Sequence, residues 1–209
     1  MIINKPDKEY FSPAERLLEE GRFLEAAKSF KESGNYVQSA FSMLLSRDLD
    51  EAEKLVRLSE DSLAKDWVLF LISLFKNPKE IKELPGFLSF RLFFEGTVTY
   101  FLKFELEDFF NRVLEILPSL ERSYPEMRKF IGAAYLSLGN YDEAYKFLEE
   151  ATRVCPMDVD INFKLGELYF FKKEYSKALS NFKKVLLQLP GHISSKKYIE
   201  KIENPKNWE

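Results

Sequence analysis

Cysteine and histidine are nearly missing from this sequence. Its 209 residues include one cysteine, Cys155, and one histidine, His192. A lone cysteine excludes an internal disulfide and any cysteine-built zinc cage, and a lone histidine excludes a histidine pair for a metal. Glycine is scarce as well, at eight residues, and neither G-x-G-x-x-G nor G-x-x-x-x-G-K-[ST] occurs, so no phosphate-cradling loop can be read. Long apolar runs are lacking too: the longest stretch, Trp67 to Phe75, is broken by Ser73 and falls far short of a bilayer span. The first ten residues, with Lys5, Asp7, Lys8 and Glu9, are too polar for a signal peptide, and the cytoplasm is the expected compartment. The net charge of −3 gives no reason to expect nucleic acid or an anionic membrane as a partner.

What is abundant points to a folded helical protein. Apolar residues make up 45% of the chain and charged residues 31%, a balance that supports a real core. Lys and Glu together number 47 against two glutamines, Gln38 and Gln188, a bias that fits a thermophilic source. Phenylalanine reaches 20 residues, and those rings need burial. No period-two run of useful length stands between turn dipeptides, so strands are not expected.

Two segments 34 residues apart, Pro125–Asp158 and Val159–His192, align closely. Ile131-Gly132 matches Leu165-Gly166, Tyr135 matches Tyr169, and Tyr141 matches Tyr175. Ala144 then matches Ala178, Leu148 matches Phe182, and Pro156 matches Pro190. Gly132 and Gly166 remove a side chain where the first helix of each pair crosses the second, and Ala144 and Ala178 do the same from the other side. Pro156 and Pro190 stop the second helix. These residues resemble the tetratricopeptide repeat (TPR) family, with its Gly, Ala and Pro in place. The family's Trp at the fourth position is replaced by Arg128 and Asn162, and Lys173 stands where the first segment has Gly139. The resemblance implies an all-α fold, a right-handed superhelix of antiparallel helical hairpins.

Weaker copies of the second-helix signature lie upstream at Phe23-x2-Ala26-x3-Phe30, Leu49-x2-Ala52-x3-Val56 and Leu106-x2-Phe109-x3-Val113. Ser12-Pro13-Ala14-Glu15 and Asn77-Pro78-Lys79-Glu80 each read as a helix start. The segment 35–45 pairs with 49–58, and Leu63–Lys76 followed by Pro78–Leu84 reads as one irregular hairpin. Pro85-Gly86 is the clearest break, giving N-terminal hairpins over 1–84 and a C-terminal array over 87–209. Phe87–Lys103 is expected as a central helix with aromatics on two faces, 87-90-94-101 and 93-97-100-104. Residues 192–203 are expected to form a capping helix, with Ile193, Tyr198, Ile199 and Ile202 turned toward the last repeat and lysines outward.

Chemistry finds little footing in these residues. Cys155 ends a helix, where the dipole opposes thiolate formation, and Asp158-Val-Asp160 lacks the Gly and Glu of a calcium loop. Glu19-Glu20 and Glu149-Glu150 read as solvated surface. An enzyme is not expected, nor any cofactor or metal. Residues 159–209 are locally basic, net +4, but contain no arginine for bidentate contacts, which disfavours nucleic acid. The TPR resemblance instead implies a groove lined by the first helix of each pair: Glu126, Lys129, Ala133, Leu136 and Ser137, then Asp160, Phe163, Glu167, Phe170 and Phe171. Some family members grip a terminal carboxylate with Lys and Asn at the fifth and ninth positions. Lys129/Ala133 and Phe163/Glu167 stand there instead, which disfavours that ligand. The remaining expectation is a non-enzymatic interaction scaffold whose aromatic groove takes a protein segment or peptide. Phe163 and Phe170 would be its anchors, and Lys129 and Glu167 would set register. Two alternatives stay open: the rings are covered by the capping helix, or by a second copy in a homo-oligomer.

Overall fold

The computed structural model describes residues 11–77, 81, 84–124 and 127–204, apart from the side chains of 120–123. Among these residues there are twelve helices and no strand. They are α1 (Pro13–Glu19), α2 (Phe23–Glu32), α3 (Tyr36–Leu45), α4 (Leu49–Arg57), α5 (Leu63–Lys76) and α6 (Phe87–Lys103). Then come α7 (Glu107–Ser123), α8 (Arg128–Ser137), α9 (Tyr141–Val154), α10 (Val159–Phe171), α11 (Tyr175–Gln188) and α12 (Ile193–Glu203). The fold is all-α, built from antiparallel helical hairpins. The expected helix start at Pro78-Lys79-Glu80, and with it most of the arm after α5, lies outside the described residues, as do Pro125 and Glu126.

Two compact units divide the chain: Met1–Thr97 with Phe104–Glu115, and Val98–Lys103 with Ile116–Glu209. The division falls inside α6 and α7, and Pro85-Gly86, the break expected from sequence, lies within the first unit.

One turn geometry recurs along the chain and accounts for its spacing. α2, α3 and α4 start 13 residues apart because α2 and α3 each span ten residues and each is followed by the same three-residue connection. The residue after each preceding helix cap has a positive φ: Gly21, Gly34 and Arg47 in the first unit, Gly139 and Lys173 in the second. In each case the next N–H reaches back five residues, as Arg22 to Leu17 O (2.9 Å), Asp48 to Met43 O (3.0 Å) and Glu174 to Tyr169 O (2.8 Å). This left-handed C-terminal cap satisfies carbonyls that the helix end would leave unpaired. Glycine adopts it freely; Arg47 and Lys173 do so against the Cβ penalty. Arg47 is compensated by two hydrogen bonds to Asp108 (2.5 and 2.8 Å) and a position over the Phe109 ring, whereas Lys173 has no comparable contact among the described residues.

The first unit is fastened by aromatic packing. Ser12 caps α1 reciprocally, accepting from Glu15 N (3.2 Å) while its own N–H donates to Glu15 (2.7 Å). Trp67 on α5 meets Phe90 and Phe94 edge-on at 6.1 and 6.2 Å, and its Nε1–H donates to Thr97 Oγ1 at 2.9 Å in a buried site. Phe23 meets Phe104 edge-on at 5.0 Å, and Phe75 stacks on Phe109 at 4.2 Å. Along α6, which contributes to both units, Phe90, Phe94 and Phe101 are buried as the periodicity implies, but Phe87 at the head of that face is half exposed.

In the second unit α8 pairs with α9 and α10 with α11, and α12 packs on α11. A Cβ on Gly132 would lie 2.7 Å from Leu148 Cγ, and one on Gly166 would lie 2.5 Å from the Phe182 ring. Both glycines therefore make the close helix crossing that the repeat pattern requires. Leu148 and Phe182 are fully buried in the layers they close. Tyr198, Ile199 and Ile202 of α12 pack onto the last repeat as expected, but Ile193 points to solvent, because it sits at the first position of α12, beyond the contact.

Three substitutions test these constraints. Gly166→Ala forces a methyl into a ring that cannot retreat, and urea unfolding is expected to report a loss of about 1–3 kcal/mol; an unchanged midpoint would contradict the close crossing. Lys173→Gly is expected to raise stability by about 0.5–1 kcal/mol by relieving the left-handed residue. Arg47→Gly should not, since it also removes the Asp108 contacts.

Candidate functional site

The first-helix face of the two C-terminal repeats is built by α8 and α10 and extended by α12. Lys129 on α8 is buried to its ammonium group. Nζ donates to Asp158 at 3.0 Å and to Asp160 at 3.3 Å, and lies 5.4 Å from the Phe130 ring centre. Asp158 does double work, since its other oxygen accepts from Ile161 N–H at 2.8 Å and caps α10. Lys129 thus ties one repeat to the start of the next. Ala133 and Leu136 are buried along the same helix, with Leu136 in the layer that contains Leu148 and Leu168.

On α10, Phe163 is buried. His192 covers it at 4.8 Å between ring centres, Phe182 lies at 5.7 Å and Tyr198 at 6.0 Å. Of the alternatives open from sequence, cover by the capping helix is what the structure contains for this ring. Glu167 is mostly enclosed and accepts two hydrogen bonds, from Tyr198 Oη (3.1 Å) and Lys164 Nζ (3.0 Å). Burial pushes the Tyr198 phenol well above the usual tyrosine range, with the Glu167 carboxylate adding to the effect, so the hydroxyl stays a donor. Burial likewise pushes Tyr169 up to about 12, helped by its neighbour Tyr145.

Phe170 and Phe171 lie nearer the surface. Phe170 is half-buried, edge-on to Tyr198 at 4.9 Å and within 5.8 Å of both Phe171 and Tyr175. Phe171 is 46% exposed and stacks parallel to Tyr141 at 5.9 Å. The four rings of Tyr141, Phe171, Phe170 and Tyr175 form an accessible aromatic patch at the end of α10. A Lys172–Asp142 pair (2.9 Å) and a Lys177–Glu174 pair (2.6 Å) edge it. Sequence reasoning named Phe170 and Phe171 but missed Tyr141 and Tyr175, which it read only as matching repeat positions. It also missed Tyr198 as the partner of Glu167, although Tyr198 lies in the first helix of what would be a third repeat.

His192 stands at the start of α12. Its Nδ1 accepts from Ser195 N–H at 3.2 Å, capping α12, and lies 2.8 Å from the Ser195 hydroxyl. Burial lowers its pKa below the ordinary 6.5, against the pull of Asp160 and Glu167. No group of three or more potential metal ligands occurs among the described residues, and no described helix is long and apolar enough to cross a membrane.

The His192 geometry gives a pH dependence. A folded-state pKa below the unfolded value favours the neutral ring, so its contribution is complete above about pH 6.5 and is lost as pH falls through the lowered value. Acidification from pH 7 to 5 is expected to destabilise the chain, and His192→Asn, which keeps a capping oxygen, should flatten that part of the profile. Equal pH dependence in both proteins would contradict the assignment.

Comparison with known proteins follows the same segment. A family model described as "TPR repeat" matches residues 132–173. The chain is 35% identical over 71 residues to the TPR repeat-containing protein YpiA of Bacillus subtilis, covering 34% of this chain and 17% of that protein. It is 32% identical over 65 residues to anaphase-promoting complex subunit 6 of Arabidopsis thaliana, covering 31% and 12%. The chain therefore spans less than a fifth of the length of these curated relatives. Among solved structures it is similar to YrrB, described as a TPR protein with an unusual peptide-binding site (TM-score 0.41, 16% identity, 90% of this chain and 88% of that one). It is also similar to a chain of the APC/C hetero-tetramer Cut9–Hcn1 (TM-score 0.44, 17% identity, 89% and 41%).

Proposed function

The chain carries tetratricopeptide repeats in its C-terminal half, and we propose that it acts as a non-catalytic protein-interaction scaffold in the cytoplasm. Its partner is a peptide or helix with apolar or aromatic side chains. The observation that supports this reading is the accessible patch of Tyr141, Phe170, Phe171 and Tyr175, four contacting rings on a rigid helical frame. Large rings that are already held in place lose little entropy when a partner covers them, which is why such residues dominate interface energetics.

The residues expected to line the groove divide by role in this proposal. Phe170 is the anchor, joined by Phe171, while Phe163 is the floor beneath it. Lys129 and Glu167 set register by fixing the helices that carry the rings, since both are already hydrogen-bonded inside the chain. Ala133 and Leu136 keep α8 close to its neighbours. The relative that is named as a subunit of a complex is itself part of a protein assembly, which fits a scaffold role here.

A peptide library selected on the immobilised chain tests this. Enriched sequences are expected to be apolar or aromatic and to lose at least tenfold in affinity against Phe170→Ala or Phe171→Ala, the scale of an interface hot spot. Peptides that bind both variants as tightly as the unaltered chain would place the binding face elsewhere.

A further inference from the structure

The two turns that follow second helices in the last repeats lie side by side. Asn162 Nδ2, at the start of α10, donates to Pro156 O of the first turn at 3.1 Å, and the next residue, Phe163, touches His192 of the second turn. Both turns turn aliphatic side chains outward. Val154 and Met157 are exposed in the first, and Leu187, Leu189 and Ile193 are exposed around the second. Leu187 keeps 82% of its surface open and Ile193 68%. All five are more than 45% exposed, and they lie at the opposite end of α10 from the aromatic patch.

Lysines stand behind the aliphatic tips. Lys183 and Lys184 precede Leu187 by four and three residues on α11, and Lys196 and Lys197 follow Ile193 by three and four on α12, so each pair shares its aliphatic residue's helix face. All four are exposed, and none makes an ion pair among the described residues. Lys129, Lys146, Lys164, Lys172 and Lys177 of the same unit all do. The acids at this edge are fewer: Asp158 and Asp160 share Lys129 and leave one negative charge between them, and Glu200 lies one turn from Lys196 and Lys197, so the four lysines keep the edge net positive.

We propose that this edge of the second unit docks on an anionic lipid surface, with Leu187, Ile193 and Met157 entering the headgroup boundary and the four lysines facing lipid phosphates and carboxylates. Neither feature suffices alone. Stable peripheral attachment needs an apolar insertion together with a basic cluster, and this edge has both, on the turns and on the adjoining ends of α11 and α12. The whole-chain charge of −3 conceals the feature, because residues 159–209 carry a local net charge of +4.

Sedimentation of the full chain with vesicles tests the proposal. Binding is expected to vesicles of phosphatidylcholine with phosphatidylserine, to fall steeply with added salt, and to be absent on phosphatidylcholine alone. Leu187→Ser with Ile193→Ser, both fully tolerable at exposed positions, should weaken binding at least tenfold with unchanged helical circular dichroism. Removing lysine charge at 183, 184, 196 and 197 should cost about fivefold per residue. No binding to phosphatidylserine vesicles at low salt would overturn the proposal, as would full binding by the serine variant. So would a doubled molar mass of the free chain that the serine variant returns to 24.6 kDa, since the edge would then be a contact between copies.

Discussion

Phe182 holds α10, α11 and α12 together from two sides. One side of its ring fits against the bare backbone of Gly166, where even a Cβ would come within 2.5 Å. Tyr198 lies nearly parallel to it at 4.8 Å. The first contact sets how closely α10 and α11 cross, and the second seats α12. Because Tyr198 also reaches Glu167 and covers Phe163, the position of one fully buried ring decides which aromatic surface stays accessible. Phe170 and Phe171 are left at the end of α10 as a consequence of that seating.

The polar groups on the same face serve the frame. Lys129 is nearly inaccessible between Asp158 and Asp160, and a buried ammonium is tolerated only with such partners. Asp158 links the ion pair to the cap of α10, so electrostatics and helix start are coupled in one side chain. A partner meeting this face encounters rings whose supporting charges are already satisfied, and the affinity it gains must come from apolar contact and shape.

Much of this architecture was legible in the residues. The bounds of α5 and α6 follow from their apolar periodicity, and those of α9 and α11 from Tyr141, Pro156, Tyr175 and Pro190, since each boundary residue acts locally. Gly132 and Gly166 were readable because a missing side chain has one clear use at a helix crossing. The left-handed turns at Arg47 and Lys173 were not, because the residue type argues against the conformation and the neighbouring helices impose it. Phe87 and Ile193 fit their apolar patterns but are more than half exposed, and periodicity does not say where burial ends. Among the candidate site residues the pattern placed Lys129, Ala133 and Leu136 on α8 and Phe163, Glu167, Phe170 and Phe171 on α10. It could not tell a covered ring from an open one: Phe163 is covered by Phe182, His192 and Tyr198, while Phe171 stays 46% exposed.

The seating of α12 carries the account, and native-state amide hydrogen exchange measures it directly. If Tyr198 and Phe182 clamp α12 as described, the central amides of α12 are protected together with those of α10 and α11, and Tyr198→Ala releases α12 while leaving α9 protected. If α12 instead exchanges like a free peptide in the unaltered chain, Phe163 is open to solvent, and the division between buried floor and accessible aromatic patch is contradicted.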